Sequence, residues 1–266
     1  MIAQGSPMTP IEIEAAALHL LTARRHRRPG PRLPKSCRPE RIEDAFAIQR
    51  RVALLLNERV GGWKCSLPTP EKTIVAPIYA ATICTKAPCP VPAQDTSARI
   101  EPEIAFVLAR DLPPRKAPYT EADVRSAIGE TRLVLELMGC RYADPVTIPF
   151  PELLADGANN YGLFVGPVVA KGLERPLEGF PIAITGPAGA IFARDGRHPD
   201  GHPLRPLVWL ANWFGTNDTG WSQGLIAGQI VTTGSYVGAV DVPLATPLTV
   251  TFGDLGKLEV TLLPVA

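Results

Sequence analysis

The sequence predicts an α+β protein with a helical first part and a mainly β remainder. Apolar residues recur at helical spacing early in the chain, and short strand-like runs dominate after Gly61. The 29 prolines and 23 glycines supply frequent turns and make up about 20% of the 266 residues, against a usual background of about 12%. We therefore expect an N-terminal helical region over residues 1–95 and a mainly β body over residues 96–266.

The net charge limits the kinds of partner that the protein is expected to bind, and the cysteine content indicates its compartment. The chain has 27 Lys and Arg against 26 Asp and Glu, so no charge excess favours nucleic acid or an anionic membrane surface. The five cysteines form no C-x-x-C pair, which favours a reducing compartment. No signal peptide is apparent, and no run approaches the roughly 20 apolar residues of a membrane span. These observations predict a cytoplasmic protein that binds a small molecule.

Two helices are predicted near the N-terminus. Thr9 can cap the first helix, Pro10 suits its first turn, and Glu12 can reach back to the cap amide. This helix should end near the basic cluster at residues 24–28, which is typical either of a nucleic-acid patch or of a solvated loop; the neutral net charge favours the loop. A second helix is expected over about residues 41–59.

The body should consist of short strands with two helical interruptions. The pattern Thr120-x-x-Asp123 opens one helix over residues 121–128, and a second helix covers about residues 207–214. The strand-like runs include residues 100–108, 133–138, 163–170, 230–233, 248–252 and 258–263.

Glutamates in two of these runs are candidate metal ligands. Strand periodicity puts Glu101 and Glu103 on the face opposite Ile104 and Phe106, although a solvent-facing strand shows the same pattern. Glu136 differs, because its neighbours along the strand are apolar on both faces. A carboxylate there loses several kcal/mol of hydration unless a cation or strong donors replace the water.

Three carboxylates from two strands form the hard-oxygen site that Mg²⁺ or Mn²⁺ prefers. Zinc is disfavoured, since no His or Cys clusters with them in the sequence. The alternative is that Glu136 pairs with a buried arginine, Arg132 or Arg141. Both interpretations stay open at this stage.

Lys64 and the turn at residues 228–235 are further candidates. Beside a divalent metal, Lys64 would hold a substrate carboxylate or move a proton, whereas an isolated lysine is typically a surface residue. The backbone amides of the turn can cradle a carboxylate, and an ordinary hairpin explains the same residues.

These segments resemble the 2-keto-4-pentenoate hydratase and 4-oxalocrotonate decarboxylase family of the fumarylacetoacetate hydrolase superfamily. The matching motifs include RIEDAFAIQ at residues 41–49, GWK at 62–64, IEPEIAFVL at 100–108 and GQIVTTGS at 228–235. They occur in family order and span most of the chain. The resemblance implies a mixed, curved β-sheet rolled around a central helix, with N-terminal helices beside it, and a homo-oligomer.

The resemblance also implies a site and a reaction. By the family's pattern, three residues would bind Mg²⁺ or Mn²⁺: Glu101, Glu103 and Glu136. Lys64 would act on the substrate as acid or base, and Thr233 and Ser235 would contact substrate oxygens. The implied activity is a metal-dependent hydratase, a lyase that adds water to a 2-hydroxydienoate or 2-oxo-enoate, such as 2-hydroxypenta-2,4-dienoate, in the degradation of aromatic compounds. The alternatives are decarboxylation of a 4-oxalocrotonate-type 2-oxo-enedioate, and a catalytically altered metal-binding homologue.

Two stretches depart from the family's pattern. The acidic residues that many family hydratases carry after the lysine segment are absent from residues 76–82. The familiar Asp-Asn-Ala-Ser stretch begins DGANN at residue 156, so Asn159 or Asn160 would replace a serine contact. Acylpyruvate hydrolysis, a third branch of the superfamily, would need a His-Glu pair, and no His lies between residues 27 and 197 to supply one. The departures surround the substrate rather than the metal.

Overall fold

The computed structural model describes residues 6–93, 96–216, 220–221 and 223–265. The predicted capping box is present, since the Thr9 side chain accepts from the Glu12 N–H and the Glu12 carboxylate accepts from the Thr9 N–H at 2.7 Å. The second helix ends earlier than expected because Asn57 takes a left-handed φ of 55° and caps it. The described helices are α1 (Pro10–His26), α2 (Ile42–Leu56), α3 (Glu121–Ala127), α4 (Phe150–Ala155) and α5 (Leu204–Thr216).

The strands form two sheets. In chain order they are β1 (Val60–Cys65), β2 (Val75–Tyr79), β3 (Ile83–Cys84), β4 (Cys89–Val91), β5 (Ser97–Leu108), β6 (Ile128–Met138), β7 (Asn160–Val168), β8 (Gly179–Gly186), β9 (Gly189–Arg197), β10 (Ile230–Thr232), β11 (Val240–Pro243), β12 (Pro247–Phe252) and β13 (Gly256–Pro264). The larger sheet has the order β2-β1-β10-β5-β6-β7-β3, with β11 also paired to β5. The smaller sheet has the order β4-β13-β12-β8-β9.

The larger sheet is mixed and separates two apolar clusters. Pairing is parallel between β1 and β10 and between β3 and β7, and antiparallel elsewhere in the sheet. Along β5, Ile104 and Phe106 belong to the main core, whereas Ala105 belongs to a smaller cluster on the opposite face. Helix α5 packs in the main core, where Phe214 meets Trp63 of β1 edge-on at 5.0 Å. The predicted α+β class with a mixed, curved sheet is confirmed.

Strands β1 to β4 lie within the first 95 residues, beside helices α1 and α2. β1 contains two glycines and β2 a proline, so neither shows the apolar alternation that marks a strand in sequence. The expected boundary between the two regions, at residues 95 and 96, stays a prediction. Residue 95 lies outside the described residues. Among the described residues, no helix combines the length and apolar content that crossing a membrane requires.

Candidate metal and substrate site

Three carboxylates meet on the face of the larger sheet that carries Ala105. Glu101 and Glu136 are direct cross-strand partners of β5 and β6, and Glu103 follows two residues after Glu101, on the same face. One ligand atom from each of the three lies within 4.8 Å of the others. Glu103 and Glu136 are each only 1% exposed. We call this group the carboxylate cluster (Glu101, Glu103 and Glu136).

The electrostatics of the carboxylate cluster favour a cation. Burial raises the pKa of Glu103 to about 8, with Glu136 and Glu101 adding to the rise. Burial and Glu136 likewise raise the pKa of Glu101. Buried carboxylates at this spacing repel one another unless positive charge lies among them. Since their oxygens are the ligands that hard divalent cations prefer, the residues present fit such an ion.

Lys64 of β1 brings positive charge to the carboxylate cluster. Its Nζ donates to Glu136 Oε1 at 2.6 Å and to the carbonyl oxygen of Ala158 at 3.1 Å. Burial by itself would lower the pKa of Lys64, but the carboxylates of Glu136 and Glu101 outweigh burial and raise it. Lys64 is therefore protonated at neutral pH and is placed to donate a hydrogen bond or a proton.

Two alternatives left open by the sequence are wrong: that Lys64 is a surface lysine, and that Glu136 pairs with a buried arginine. The Lys64 side chain is 12% exposed, so it is not a surface lysine. Arg132 pairs with Glu130 at 2.7 Å instead of with Glu136. Arg141 likewise pairs elsewhere, with a buried aspartate.

Three polar groups fix the orientation of the buried carboxylates. Asn160 Nδ2 donates to Glu136 Oε1 at 3.0 Å. The Thr232 hydroxyl and the Gly234 N–H both donate to Glu103 Oε2, the latter at 3.0 Å. Gly234 has a φ of 130°, which side-chain-bearing residues rarely adopt, and this turn directs its N–H at the carboxylate. The sequence predicts that backbone amides of this turn can cradle a carboxylate. It does not identify Glu103 as that carboxylate or the Thr232 hydroxyl as a second donor, because both contacts depend on β10 lying beside β5.

The remaining predicted contacts do not reach the carboxylates through any hydrogen bond of the described residues. Thr233 Oγ1 lies 3.4 Å from Nε2 of His198. Ser235 Oγ lies 3.0 Å from the carbonyl oxygen of Gly238 and 3.4 Å from that of Pro102, the residue between Glu101 and Glu103. Asn159 Oδ1 is buried and has no hydrogen-bond partner within the described part of the chain. The structure thus brings Asn160 to the site, and substrate contacts by Thr233, Ser235 and Asn159 stay predictions.

His198 is a further residue that sequence reasoning did not place near this turn. It is 4% exposed, and its Nδ1 accepts the backbone N–H of Asp200 at 3.2 Å. The proton of the neutral ring therefore lies on Nε2, facing Thr233. Burial lowers the pKa of His198 to about 4 and keeps it neutral. Its partner lies 35 residues away in the chain, so no local pattern indicates the contact.

The loop before β7 connects Lys64 with Glu136. Gly157, Ala158 and Asn159 have φ values of 92°, 51° and 63°, and this left-handed run turns the chain from α4 into β7. The turn presents the Ala158 carbonyl to Lys64 and places the Asn160 amide on Glu136. The stretch that departs from the family's pattern therefore borders the candidate site directly.

Comparison with known proteins supports the resemblance. No family model matches the chain. A 2-keto-4-pentenoate hydratase of Paraburkholderia xenovorans strain LB400 is 29% identical over 246 residues, 86% of each chain. A 2-oxo-hept-4-ene-1,7-dioate hydratase of Escherichia coli is 28% identical over 242 residues, 82% of this chain and 85% of the relative. The chain is similar to the 2-keto-4-pentenoate hydratases over most of its length.

Solved structures show that the chain has the expected architecture. A 4-oxalocrotonate decarboxylase from Pseudomonas putida G7, complexed with magnesium and adipate, has a TM-score of 0.77 at 18% identity, over 97% of this chain and 100% of that chain. A 2-hydroxyhepta-2,4-diene-1,7-dioate isomerase from Mycobacterium marinum has a TM-score of 0.51 at 13% identity, over 78% and 77% of the two chains. At these identities the likeness concerns the fold, and it confirms the fumarylacetoacetate hydrolase-like prediction.

Proposed function

We propose that the protein is a divalent-metal-dependent hydratase that adds water to a 2-hydroxydienoate or 2-oxo-enoate, with 2-hydroxypenta-2,4-dienoate as the first substrate to test. The observation that carries this proposal is the buried carboxylate cluster with the Lys64 ammonium paired to Glu136. The hydratase names of the relatives support the reaction class. A role in the degradation of aromatic compounds follows from the same resemblance.

The carboxylate cluster would hold the metal. Mg²⁺ or Mn²⁺ suits three carboxylate oxygens and leaves further positions for water and substrate. When bound, such an ion supplies Lewis-acid stabilisation of negative charge on the 1-carboxylate and 2-oxo oxygens of the substrate. Hydrogen bonds from Asn160, Thr232 and Gly234 orient the two buried carboxylates that would bind the ion.

Lys64 is the proposed proton donor. The substrate dienol first becomes a conjugated 2-oxo-enoate, which needs a proton at carbon 5 while the enol proton leaves. Water then gives its hydroxyl to carbon 4 and a proton to carbon 3, so the product differs from the substrate by one water molecule. Nζ of Lys64 gives a proton to carbon 5 in the first step and to carbon 3 in the second. Its free amine takes up the enol proton in the first step and the proton of the attacking water in the second, so the ammonium is restored. Glu136 and the Ala158 carbonyl hold Nζ in place.

Turnover with defined products tests the proposal. Purified protein with Mg²⁺ should bleach the ultraviolet absorbance of 2-hydroxypenta-2,4-dienoate and yield 4-hydroxy-2-oxopentanoate by mass spectrometry. Glu103→Gln should lose this activity, whereas Glu130→Gln, which changes a partly exposed residue on the same sheet, should keep it. Carbon dioxide release from a 2-oxo-enedioate without bleaching of the dienoate would instead assign decarboxylation, and metal binding without any turnover would indicate an altered homologue.

The cytoplasmic location and the homo-oligomeric state stay predictions. The location is expected from the cysteine content, and the homo-oligomer from the family resemblance. Size-exclusion chromatography with light scattering measures the assembly directly.

A further inference from the structure

A cavity of about 200 Å³ lies between the C-terminal end of α1 and residues of β2, β3 and β7. Its lining is strongly cationic. Arg24, Arg27, Arg28 and Arg141 line it, against a single carboxylate, that of Glu58. We call it the arginine cavity. None of the three glutamates of the carboxylate cluster lines it.

Two of these guanidinium groups are buried and share one acidic partner. The side chains of Arg24 and Arg141 are 15% and 5% exposed. Both donate to the backbone carbonyl of Asp156, at 2.6 and 2.5 Å, and the single Asp156 carboxylate lies 3.5 Å from Arg24 and 2.5 Å from Arg141. Two buried positive charges therefore lie beside one buried negative charge.

The shared partner leaves donors unsatisfied. Nε of Arg24 and Nη1 of Arg141 are buried and have no hydrogen-bond partner among the described residues. A buried donor without an acceptor is destabilising, and more so when the group is charged. Burial and the neighbouring Arg141 lower the pKa of Arg24, yet a guanidinium stays protonated in proteins. An anionic acceptor would satisfy both the unpaired donors and the excess positive charge.

We propose that the arginine cavity binds a carboxylate group of a small ligand through Arg24 and Arg141. The planar fork of a guanidinium matches the two oxygens of a carboxylate, and such charge-assisted hydrogen bonds are about twice as strong as neutral ones. The carboxylate has two conceivable sources. One is the far end of a dicarboxylic 2-oxo acid bound at the carboxylate cluster, which rests on the proposed function, and the other is a separate carboxylate ligand.

Gly157 lies close to both guanidinium groups and to the sheet that carries the carboxylate cluster. A Cβ atom on Gly157 would lie 3.4 Å from Nη2 of Arg24 and 3.9 Å from Nη2 of Arg141. The same point is 3.9 Å from Cβ of Ala76, which is the register partner of Lys64 across β1 and β2. The guanidinium groups therefore lie near Ala76, the neighbour of Lys64 on the adjacent strand. This proximity motivates the test for a dicarboxylic substrate.

A matched pair of ligands tests the proposal. 2-Oxoadipate and 2-oxohexanoate have the same six-carbon chain and differ only in the terminal carboxylate. Calorimetry on the Mg²⁺-loaded protein should show about tenfold or tighter binding of 2-oxoadipate, the size expected of a charge-assisted contact. Arg24→Met should reduce the ratio of the two dissociation constants to near one. Arg25→Met, which removes the same charge from an exposed neighbour on α1, should preserve the ratio.

Further arms separate the two sources and control for folding. Oxalate binding shows that each variant retains its metal site, and Arg24→Lys, which keeps the charge, should retain part of the preference. Glutarate that binds the oxalate-saturated protein, and loses binding in Arg24→Met, would assign a separate carboxylate ligand.

Two results would overturn the proposal: a 2-oxoadipate preference that survives Arg24→Met, or equal affinity for the two oxo acids together with no glutarate binding. Turnover of 2-hydroxypenta-2,4-dienoate is measured apart from these titrations. A 2-hydroxydienoate that carries a distal carboxylate is assayed beside it, because an enzyme selective for dicarboxylates would not turn over the monocarboxylate. Absence of turnover with both substrates, beside an intact preference, would contradict the proposed function alone.

Discussion

The carboxylate cluster and the arginine cavity are two buried charged regions. Negative charge is in excess in the first and positive charge in the second. In the first, three carboxylates lie beside one ammonium, that of Lys64. In the second, two guanidinium groups share Asp156. The loop that begins at Gly157 lies between them and contacts Lys64 through the next residue, Ala158.

A balanced pair elsewhere shows what the imbalance means. Arg32 meets Glu152 in a bidentate contact with Nε at 3.0 and 3.1 Å from the two carboxylate oxygens, and Glu152 is 1% exposed. One positive and one negative charge neutralise each other in this ion pair, so the pair needs no ligand. In each of the two unbalanced regions one sign of charge is in excess. In our proposals a divalent cation would balance the carboxylate cluster and a carboxylate ligand the arginine cavity.

The largest effect is expected from removing a carboxylate of the cluster. Glu103→Gln should weaken Mn²⁺ binding by at least about 100-fold, because it deletes a ligand charge where even outer contacts are worth 10- to 100-fold. Turnover should fall with it. Calorimetric titration measures the affinity, with Glu130→Gln as the matched control. If Glu103→Gln bound Mn²⁺ with wild-type affinity, the carboxylate cluster would not be the site that binds the ion.

Removing Lys64 should separate catalysis from metal binding. Lys64→Met is expected to lower kcat by about 100- to 10,000-fold, the range of general acid catalysis. Its Mn²⁺ affinity should not weaken, since the variant removes a positive charge beside the site. Steady-state kinetics and metal titration check both, with Lys257→Met, a 65% exposed lysine of β13, as control. Unchanged kcat would remove Lys64 from the mechanism.

The sequence predicts features that depend on neighbouring residues better than contacts between residues far apart in the chain. The alternation along β5 and the capping boxes at Thr9 and Thr120 are local, and both are present. The apolar neighbours of Glu136 predict its burial, but its partner Lys64 lies 72 residues away. Local periodicity carries no information on such pairings.

The arginine cavity illustrates the same limit. In the sequence, Arg24 belongs to a basic run whose neighbours are exposed, and only helix docking places it at a carbonyl 132 residues away. Its burial therefore comes from tertiary packing rather than from any pattern in residues 24–28. The contacts of Thr232 with Glu103 and of His198 with Thr233 depend on sheet order in the same way.

Metal should also stabilise the fold through the carboxylate cluster. Mg²⁺ at about 100 times its dissociation constant is expected to raise the free energy of unfolding by about 2.7 kcal/mol. Urea titrations with Mg²⁺ and with chelator measure this difference. The gain should vanish in Glu103→Gln, and an equal gain in that variant would place the stabilising ion elsewhere.

A smaller effect is expected from His198, a buried neutral group that needs no ligand. Because its pKa is about 4 when folded and near 6.5 when unfolded, the folded state disfavours the proton. This contribution to stability is complete above pH 6.5 and is lost as the pH falls through 4, by about 3 kcal/mol. His198→Asn should be less acid-sensitive in urea titrations, and the exposed control His26→Asn should match the wild type. Equal acid sensitivity in His198→Asn and the wild type would contradict this assignment.

The most direct test of the central claim is anomalous diffraction from crystals grown with Mn²⁺ and oxalate. We predict a manganese peak bonded to Glu101, Glu103 and Glu136, with oxalate on the remaining positions and Lys64 within hydrogen-bond distance of it. Crystals without a peak at the carboxylate cluster, at Mn²⁺ concentrations that support turnover, would contradict the account.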